Sequence, residues 1–239
     1  MAATGGFRSF HRPAFTKAVR ESHPKRRQWR RDGRRLQRKK ASREGLAAIL
    51  IVCEGRETEP NYLHGLCDAR GVNRANTTIV AGDGETSALG LVRKAQRRFA
   101  VDRDFDAVFV VCDCAREELA PAMAAAATPM KNAAGESITV NLIVSRPCFE
   151  FWLLLHFEYI SRPFATAQEV IDLLRRHITD YDKADRQIYA KVEAGLDRAI
   201  GHTQQLKTEL AAIGANTPDT DMLRLIASLE LLRRRSPRE

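Results

Sequence analysis

The sequence lacks the long apolar segments that mark membrane and secreted proteins. Its apolar runs, such as those at 46–53 and 151–155, fall well short of the roughly 18–20 residues that cross a bilayer. No apolar signal-peptide core follows the start, because Phe7, Phe10 and Phe15 are scattered among basic residues. The five cysteines are odd in number, which is typical of reduced thiols. These features predict a cytoplasmic protein that does not enter a membrane, although the arginine-rich start also resembles an organelle transit peptide.

Glycine-rich phosphate loops and paired zinc ligands are missing as well. Neither a Walker phosphate loop nor a Gly-x-Gly-x-x-Gly segment occurs, so nucleotide hydrolysis is not expected. Cys53, Cys112 and Cys114 have no second cysteine pair and no paired histidines at ligand spacing. That pattern favours thiols at strand ends over a zinc site.

Charge is abundant but unevenly distributed. The 239 residues carry a net charge of +9. Residues 1–44 hold 15 Lys and Arg against three Asp and Glu, a net charge of +12, and the rest of the chain holds 24 against 27, a net charge of −3. We therefore expect a basic, flexible N-terminal arm (1–44) attached to a mildly acidic body.

The arm concentrates ten cations between Lys25 and Lys40, around a single tryptophan. Such a block either is a solvated arm or binds a polyanion, with the cations on phosphates and the indole stacked on a base. The residues predicted to contact nucleic acid in this way are Arg26, Arg27, Trp29, Arg30, Arg34 and Arg35.

The body alternates strand-like and helix-like segments. Continuous apolar runs at 47–53, 77–81, 107–112 and 138–144 predict four strands. Helical segments at 57–70, from Thr86 or Ser87 to about 100, and at 116–130 separate them. Strands that alternate with helices predict an α/β fold with a mainly parallel, four-stranded sheet covered on both faces.

The C-terminal part changes character after Pro147. Residues 148–159 are apolar on nearly every side and predict a buried helix, while 167–177, 183–212 and 220–235 read as further helices. We expect an α/β core at 45–160 and a helical C-terminal cap at 161–239 that packs on it.

Two acidic residues follow predicted strands directly. Glu54 comes after the first strand and Asp113 after the third, and reactive groups collect at the carboxyl ends of parallel strands. Neighbouring carboxylates form a natural Mg²⁺ site, since that ion takes oxygen ligands and keeps most of its waters. Alternatively, each acid caps the helix that follows it.

Two long motifs give the sequence a family resemblance. Residues 53–62 (CEGRETEPNY) resemble the "cEGxxTEpnY" opening of the RloB family, and 145–157 (SRPCFEFWLLLHF) resemble its "SNPCFElWlLLHF" signature, with Arg146 where asparagine is usual. Tyr181-Asp182-Lys183 and Asn216-Thr217-Pro218-Asp219-Thr220, near the late "NPST" element, continue the order.

The resemblance implies a Toprim-like, Rossmann-related fold whose acidic residues bind Mg²⁺ or Mn²⁺. In that pattern a Glu follows the first strand and an Asp-x-Asp follows the third. Glu54 and Asp113 match it, but Ala115 stands at the second Asp. Glu117, with Glu118 beside it, is then the expected substitute ligand from the next helical turn. Arg56, at the start of the first helix, is expected to contact phosphate.

The second motif places Glu150 among apolar residues. A buried carboxylate is costly unless it is paired or coordinated, so we expect Glu150 to pair with Arg146 or Lys183 or to support the metal site as a catalytic residue. The alternative for Glu150 and His156 is a polar network within the core.

The resemblance implies a metal-dependent nuclease of the RloB type. Its substrate would be RNA, tRNA included, or DNA, and it would act in anti-phage defence beside an ATPase partner. Glu54, Asp113 and Glu150 would be its catalytic residues. The alternative is a catalytically weakened Toprim-like module that binds nucleic acid or a protein, which Ala115 favours. No pattern indicates the oligomeric state.

Overall fold

The computed structural model describes residues 47–113 and 119–235. The predicted basic arm, Ala115 and Glu117 lie outside these residues. The strands are β1 (Ile49–Cys53), β2 (Thr77–Ala81), β3 (Ala107–Asp113), β4 (Met130–Lys131), β5 (Ser137–Ile138), β6 (Val140–Arg146) and β7 (Asp219–Thr220). The α-helices are α1 (Thr58–Ala69), α2 (Ala88–Val101), α3 (Leu119–Ala126), α4 (Phe149–Leu154), α5 (Ala167–His177), α6 (Ile188–Val192), α7 (Leu196–Ala212) and α8 (Met222–Arg235).

The main sheet confirms the predicted mixed α/β fold. Its strand order is β2-β1-β3-β6-β7, and the β1–β2, β1–β3 and β3–β6 pairs are parallel. Cys53 lies opposite Ala81 on one side and Val111 on the other. The carboxyl ends of β1, β2 and β3 therefore meet at one edge of the sheet.

The described part of the sheet has five strands where the sequence predicted four. The additional strand, β7, pairs antiparallel with β6 through Ser145↔Thr220 and Arg146↔Asp219. Two residues are too few to produce a periodic apolar pattern, so the sequence offered no signal for this strand. Its second residue, Thr220, is the residue at which the predicted 220–235 helix was expected to begin, and α8 starts two residues later than that prediction.

Both faces of the sheet are buried, which explains its continuous apolar strands. Ile49 and Ile51 join a core cluster with α1, α4 and the C-terminal helices. Leu50 and Val52 point the other way, toward α2 and α3. Ser87 starts α2 by accepting a hydrogen bond from the Gly90 N–H at 3.1 Å, as a helix N-cap does.

Several predicted segments are shorter or shifted. The fourth parallel strand runs over Val140–Arg146 rather than 138–144, because the antiparallel hairpin β4–β5 takes up the residues before it. The described part of the 116–130 segment is helical only to Ala126. The helix expected over 148–159 ends at Leu154, and the one expected over 183–212 first becomes an α-helix at Ile188.

The end of α4 is held by α7. The Leu155 carbonyl accepts a hydrogen bond from His202 Nδ1 at 2.8 Å, and the His156 carbonyl accepts one from Arg198 Nη1 at 3.2 Å. These contacts satisfy carbonyls that the helix leaves without partners. Gly195 packs against the same His156 carbonyl, so closely that a side chain on residue 195 would overlap it.

No helix in the described ranges, 47–113 and 119–235, is long and apolar enough to cross a membrane.

Candidate metal and phosphodiester site

Glu54 and Asp113 come together at the carboxyl edge of the sheet. The Glu54 N–H donates to the Val111 carbonyl at 2.9 Å, which continues the ladder between β1 and β3. The Glu54 carboxylate in turn accepts a hydrogen bond from the Asp113 N–H at 2.9 Å. The parallel register thus brings together two residues that are far apart in sequence, as their positions after neighbouring strands predicted.

Five carboxylates and one lysine line a single cavity of about 370 Å³ at this edge. Its acids are Glu54, Glu57, Glu59, Asp113 and Glu150, and Lys183 supplies the ammonium group. Glu57 and Glu59 were not among the predicted site residues, and Lys183 appeared only as one of the two expected partners of Glu150. All three lie within the family motifs quoted above, and those motifs could have indicated them.

Glu59, in the first turn of α1, is only 6% exposed. Its Oε1 accepts a hydrogen bond from the Gly55 N–H at 3.1 Å. Burial, and to a smaller extent the charge of Glu150, raise the pKa of this carboxyl against the opposing hydrogen bonds. Gly55 permits the approach, because a Cβ on residue 55 would occupy the position of the Glu59 carboxylate. Glu59 therefore fixes the loop that carries Glu54.

Gly82, at the end of β2, also supports that loop. A Cβ on this residue would lie 2.9 Å from the Glu54 carbonyl oxygen and 2.8 Å from that of Glu85. Both contacts are to backbone, so any larger side chain would displace one of the two segments. The absence of a side chain at Gly82 therefore lets the Glu54 segment sit close to β2.

Glu150 enters the cavity from the first turn of α4 and is 3% exposed. Its Oε1 accepts hydrogen bonds from the Tyr181 hydroxyl at 2.9 Å and from Lys183 Nζ at 3.1 Å. Burial alone would raise the pKa of Glu150, but Lys183 and the hydrogen bonds outweigh it and lower the pKa. Of the two partners expected for this carboxylate, Lys183 is the one that pairs, while Arg146 pairs with Asp219 of β7 at 3.1 Å.

Asp113 is the least satisfied acid of the cavity. Burial raises its pKa to about 8, and the charges of Glu59, Glu150 and Glu54 act in the same direction. Its buried Oδ1 has no hydrogen-bond partner among the described residues. A buried carboxylate oxygen without a partner is costly and calls for a cation or a proton.

Three metal ligands do not converge in the described ranges. No group of three His, Cys, Asp or Glu side chains there has a geometry that could hold an ion. The expected third ligand, Glu117, lies outside these ranges. Mg²⁺ needs only one or two protein carboxylates, because it retains several waters.

Of the residues predicted to contact nucleic acid, Arg56 is the one that lies among the described residues. Arg56 is exposed and lines the acidic cavity, and its contact with phosphate stays a prediction. The other predicted nucleic-acid contacts, from Arg26 to Arg35, lie outside the described residues.

His156 belongs to a polar network inside the core and does not line the cavity. Its Nδ1–H donates to the Trp152 carbonyl at 2.9 Å, so Nε2 accepts from the Tyr62 hydroxyl at 3.4 Å. This is the structural alternative that the sequence left open for His156. Burial lowers its pKa to about 4.

The contribution of His156 to stability is expected to fall as the pH drops from about 6.5 to about 4. An unfolded His156 binds a proton near pH 6.5, whereas the folded one resists protonation down to about pH 4. At His156 the unfolded state therefore holds more protons in this interval, and the contribution of this residue to the free energy of unfolding decreases by about 2–3 kcal/mol across it. Urea unfolding at several pH values would measure the loss. The raised pKa of Asp113 acts in the opposite direction, so the measured quantity is the stability of wild type minus that of His156→Gln. This difference should fall by about 2–3 kcal/mol from pH 6.5 to pH 4, and a constant difference would contradict the assignment.

The comparisons with known proteins give one match. The family model described as "RloB-like protein" matches residues 49–229, which include both motifs, every strand of the sheet and the acidic cavity. No curated protein and no solved structure matches the chain. Since the matched segment covers well over half of the sequence, the chain belongs to the RloB-like family.

Proposed function

We propose that this protein is a metal-dependent nuclease of the RloB type that hydrolyses phosphodiester bonds in RNA, tRNA included, or in DNA. The observation that carries the proposal is the buried Asp113 Oδ1, which has no partner among the described residues although Glu54 lies beside it. Further support comes from the position of both acids at the carboxyl edge of a parallel sheet, where active sites form.

The donor set suits Mg²⁺ or Mn²⁺. Asp113 and Glu54 would hold the ion, and both offer the hard oxygen ligands that it prefers. A bound ion would lower the pKa of a water molecule and polarise the phosphodiester. Binding would also remove the electrostatic cost of crowding several carboxylates around one cavity.

Other side chains of the cavity would position the substrate. The Lys183 side chain is 64% exposed while its ammonium group contacts Glu150, so it is available to bind a phosphate oxygen. Burial lowers the pKa of Lys183, but the neighbouring Glu150 outweighs this and raises it. The group therefore stays charged at neutral pH. Arg56, exposed at the rim, would hold an adjacent phosphate, and guanidinium groups suit that ligand.

Membership of the RloB-like family also motivates a proposal about the type of fold, the location and the partner of this protein. We infer a Toprim-like core in a cytoplasmic protein of anti-phage defence, with an ATPase as its partner. The basic arm would raise the local concentration of nucleic acid, which the acidic cavity alone would repel.

The experiment is a cleavage assay with the full chain on labelled RNA, tRNA and DNA. We expect cleavage with Mg²⁺ or Mn²⁺, none in EDTA, and none by the Glu54→Gln variant, which keeps the side-chain size but loses the charge. Glu193→Gln is the matched control, since Glu193 is exposed and away from the cavity. Equal cleavage by wild type and Glu54→Gln would reject the proposal.

The second candidate is a weakened module that binds nucleic acid or a partner without cutting. The sequence Asp113-Cys114-Ala115 and the absence of three converging ligands in the described ranges favour it. Calorimetric titration separates the two functions. Nucleic-acid binding without Mg²⁺ binding at millimolar concentration would support the module, and magnesium binding abolished by Glu54→Gln would support the nuclease.

A further inference from the structure

A second cavity, of about 440 Å³, lies on the α2–α3 face of the sheet. It is formed by the C-terminal half of α2, the end of α3 and the hairpin strand β4. Arg103, just before β3, places it toward the amino edge of the sheet, whereas the acidic cavity lies at the carboxyl edge. The two cavities are therefore separate.

Three cations surround this second cavity. Arg93, Arg103 and Lys131 line it, all three are exposed, and none takes part in an ion pair with another described residue. The lining that the structure describes includes no acidic side chain. Positive charge concentrated in a concave, partly apolar site attracts and retains anions, and arginine in particular binds phosphate through two hydrogen bonds.

The floor of the cavity is apolar. Phe99, Ala100 and Met130 contribute to it, and the volume is in the range of small-molecule sites. Gln96 lies on the same wall, and its side-chain N–H donates to the Ala125 carbonyl at 2.8 Å. That bond fixes the orientation of the amide, so the Gln96 carbonyl oxygen is available to accept from a ligand N–H.

We propose that this cavity binds a nucleoside phosphate, either as a free nucleotide or as one unit of a nucleic-acid chain. Such a ligand has an anionic phosphate for the three cations and a flat ring with N–H groups for the apolar floor and Gln96. An acidic peptide offers the charge but no ring to fill the floor. The proposal goes beyond the nuclease assignment and does not depend on it.

Binding is measured with the full chain in EDTA, so that no cleavage occurs. The probes are AMP, by calorimetry, and a short fluorescent single-stranded RNA, by anisotropy. The Arg93→Glu/Arg103→Glu double variant should weaken AMP binding at least tenfold, and RNA binding, to which the basic arm is also expected to contribute, by a smaller factor. Arg176→Glu reverses an exposed charge on α5, which packs against the other face of the sheet, and should change it less than twofold.

A neutral variant tests the cavity itself. Ala100→Trp keeps the charge and fills the space, so it should weaken binding about fivefold or more. Binding of AMP identifies a free nucleotide as ligand, and binding of the RNA alone identifies a unit of a chain. The proposal is overturned if neither probe responds to the double variant, if Ala100→Trp has no effect, or if poly-glutamate competes as well as the RNA does.

Discussion

Replacing Asp113 by asparagine is expected to abolish metal-dependent cleavage and, at the same time, to stabilise the metal-free protein. The activity loss should be at least about 10³-fold, because a bound metal contributes several kcal/mol of transition-state stabilisation. The stability gain has a different origin. The substitution removes a carboxylate that is buried beside three others and has one oxygen without a partner among the described residues.

The pH dependence of this gain follows from the raised pKa of Asp113. In the unfolded chain the carboxyl releases its proton near pH 4, whereas the folded protein holds the proton up to about pH 8. The folded state therefore binds more protons in this interval, and its stability falls as the pH rises. Asp113→Asn avoids this loss, so the variant should exceed wild type by about 2–4 kcal/mol at pH 8 and by little at pH 4.

Urea unfolding in EDTA at both pH values would measure the difference, and comparison with wild type cancels the contribution of His156. Added Mg²⁺ supplies the control. It should raise the melting temperature of wild type by preferential binding to the folded state and leave Asp113→Asn unchanged. A variant that is less stable than wild type at pH 8 would contradict the account of Asp113.

Gly195→Ala is expected to destabilise the protein by about 3 kcal/mol. The new methyl group would overlap the His156 carbonyl oxygen, which is backbone and also accepts a hydrogen bond from Arg198. Relief requires the end of α4 to move away from α7, and overpacking of this kind is costly. The measurement is the midpoint of urea unfolding at constant m-value.

Gly201 provides the matched control for this substitution. It lies exposed in the middle of α7, and a Cβ there would meet no atom within 4 Å. Gly201→Ala should therefore stabilise the protein by about 0.5–1 kcal/mol, as alanine does in a helix interior. Opposite signs for the two variants would support the packing of α7 against α4, and equal effects would disprove it.

Much of the sheet could be predicted because its signals are local. The apolar run that ends at Cys53 is too continuous for a half-exposed strand, and β1 is buried on both faces. The chain also places Glu54 and Asp113 directly after two such runs. Parallel pairing then brings both to one edge, so their proximity follows from elementary topology. The family was likewise recognisable from its two motifs.

The remaining features depend on contacts between distant segments. β7 is a strand only because β6 offers it an edge, and two residues have no periodicity of their own. The start of α6 at Ile188 was missed because Lys183 and Ala184, which read as helix in isolation, give their carbonyls to side chains of α1 instead. Thr58 Oγ1, for example, donates to the Lys183 carbonyl at 3.1 Å.

The sequence by itself determined an α/β fold, the family and the strand-end positions of two acids. Only the tertiary structure decided the electrostatics of the site. It brings the Lys183 ammonium to Glu150, buries Glu59 beneath Gly55 and leaves one oxygen of Asp113 without a partner among the described residues. The reason is physical. The ionisation of a carboxyl depends on its burial and on charges within a few ångströms, and residues far apart along the chain supply those charges.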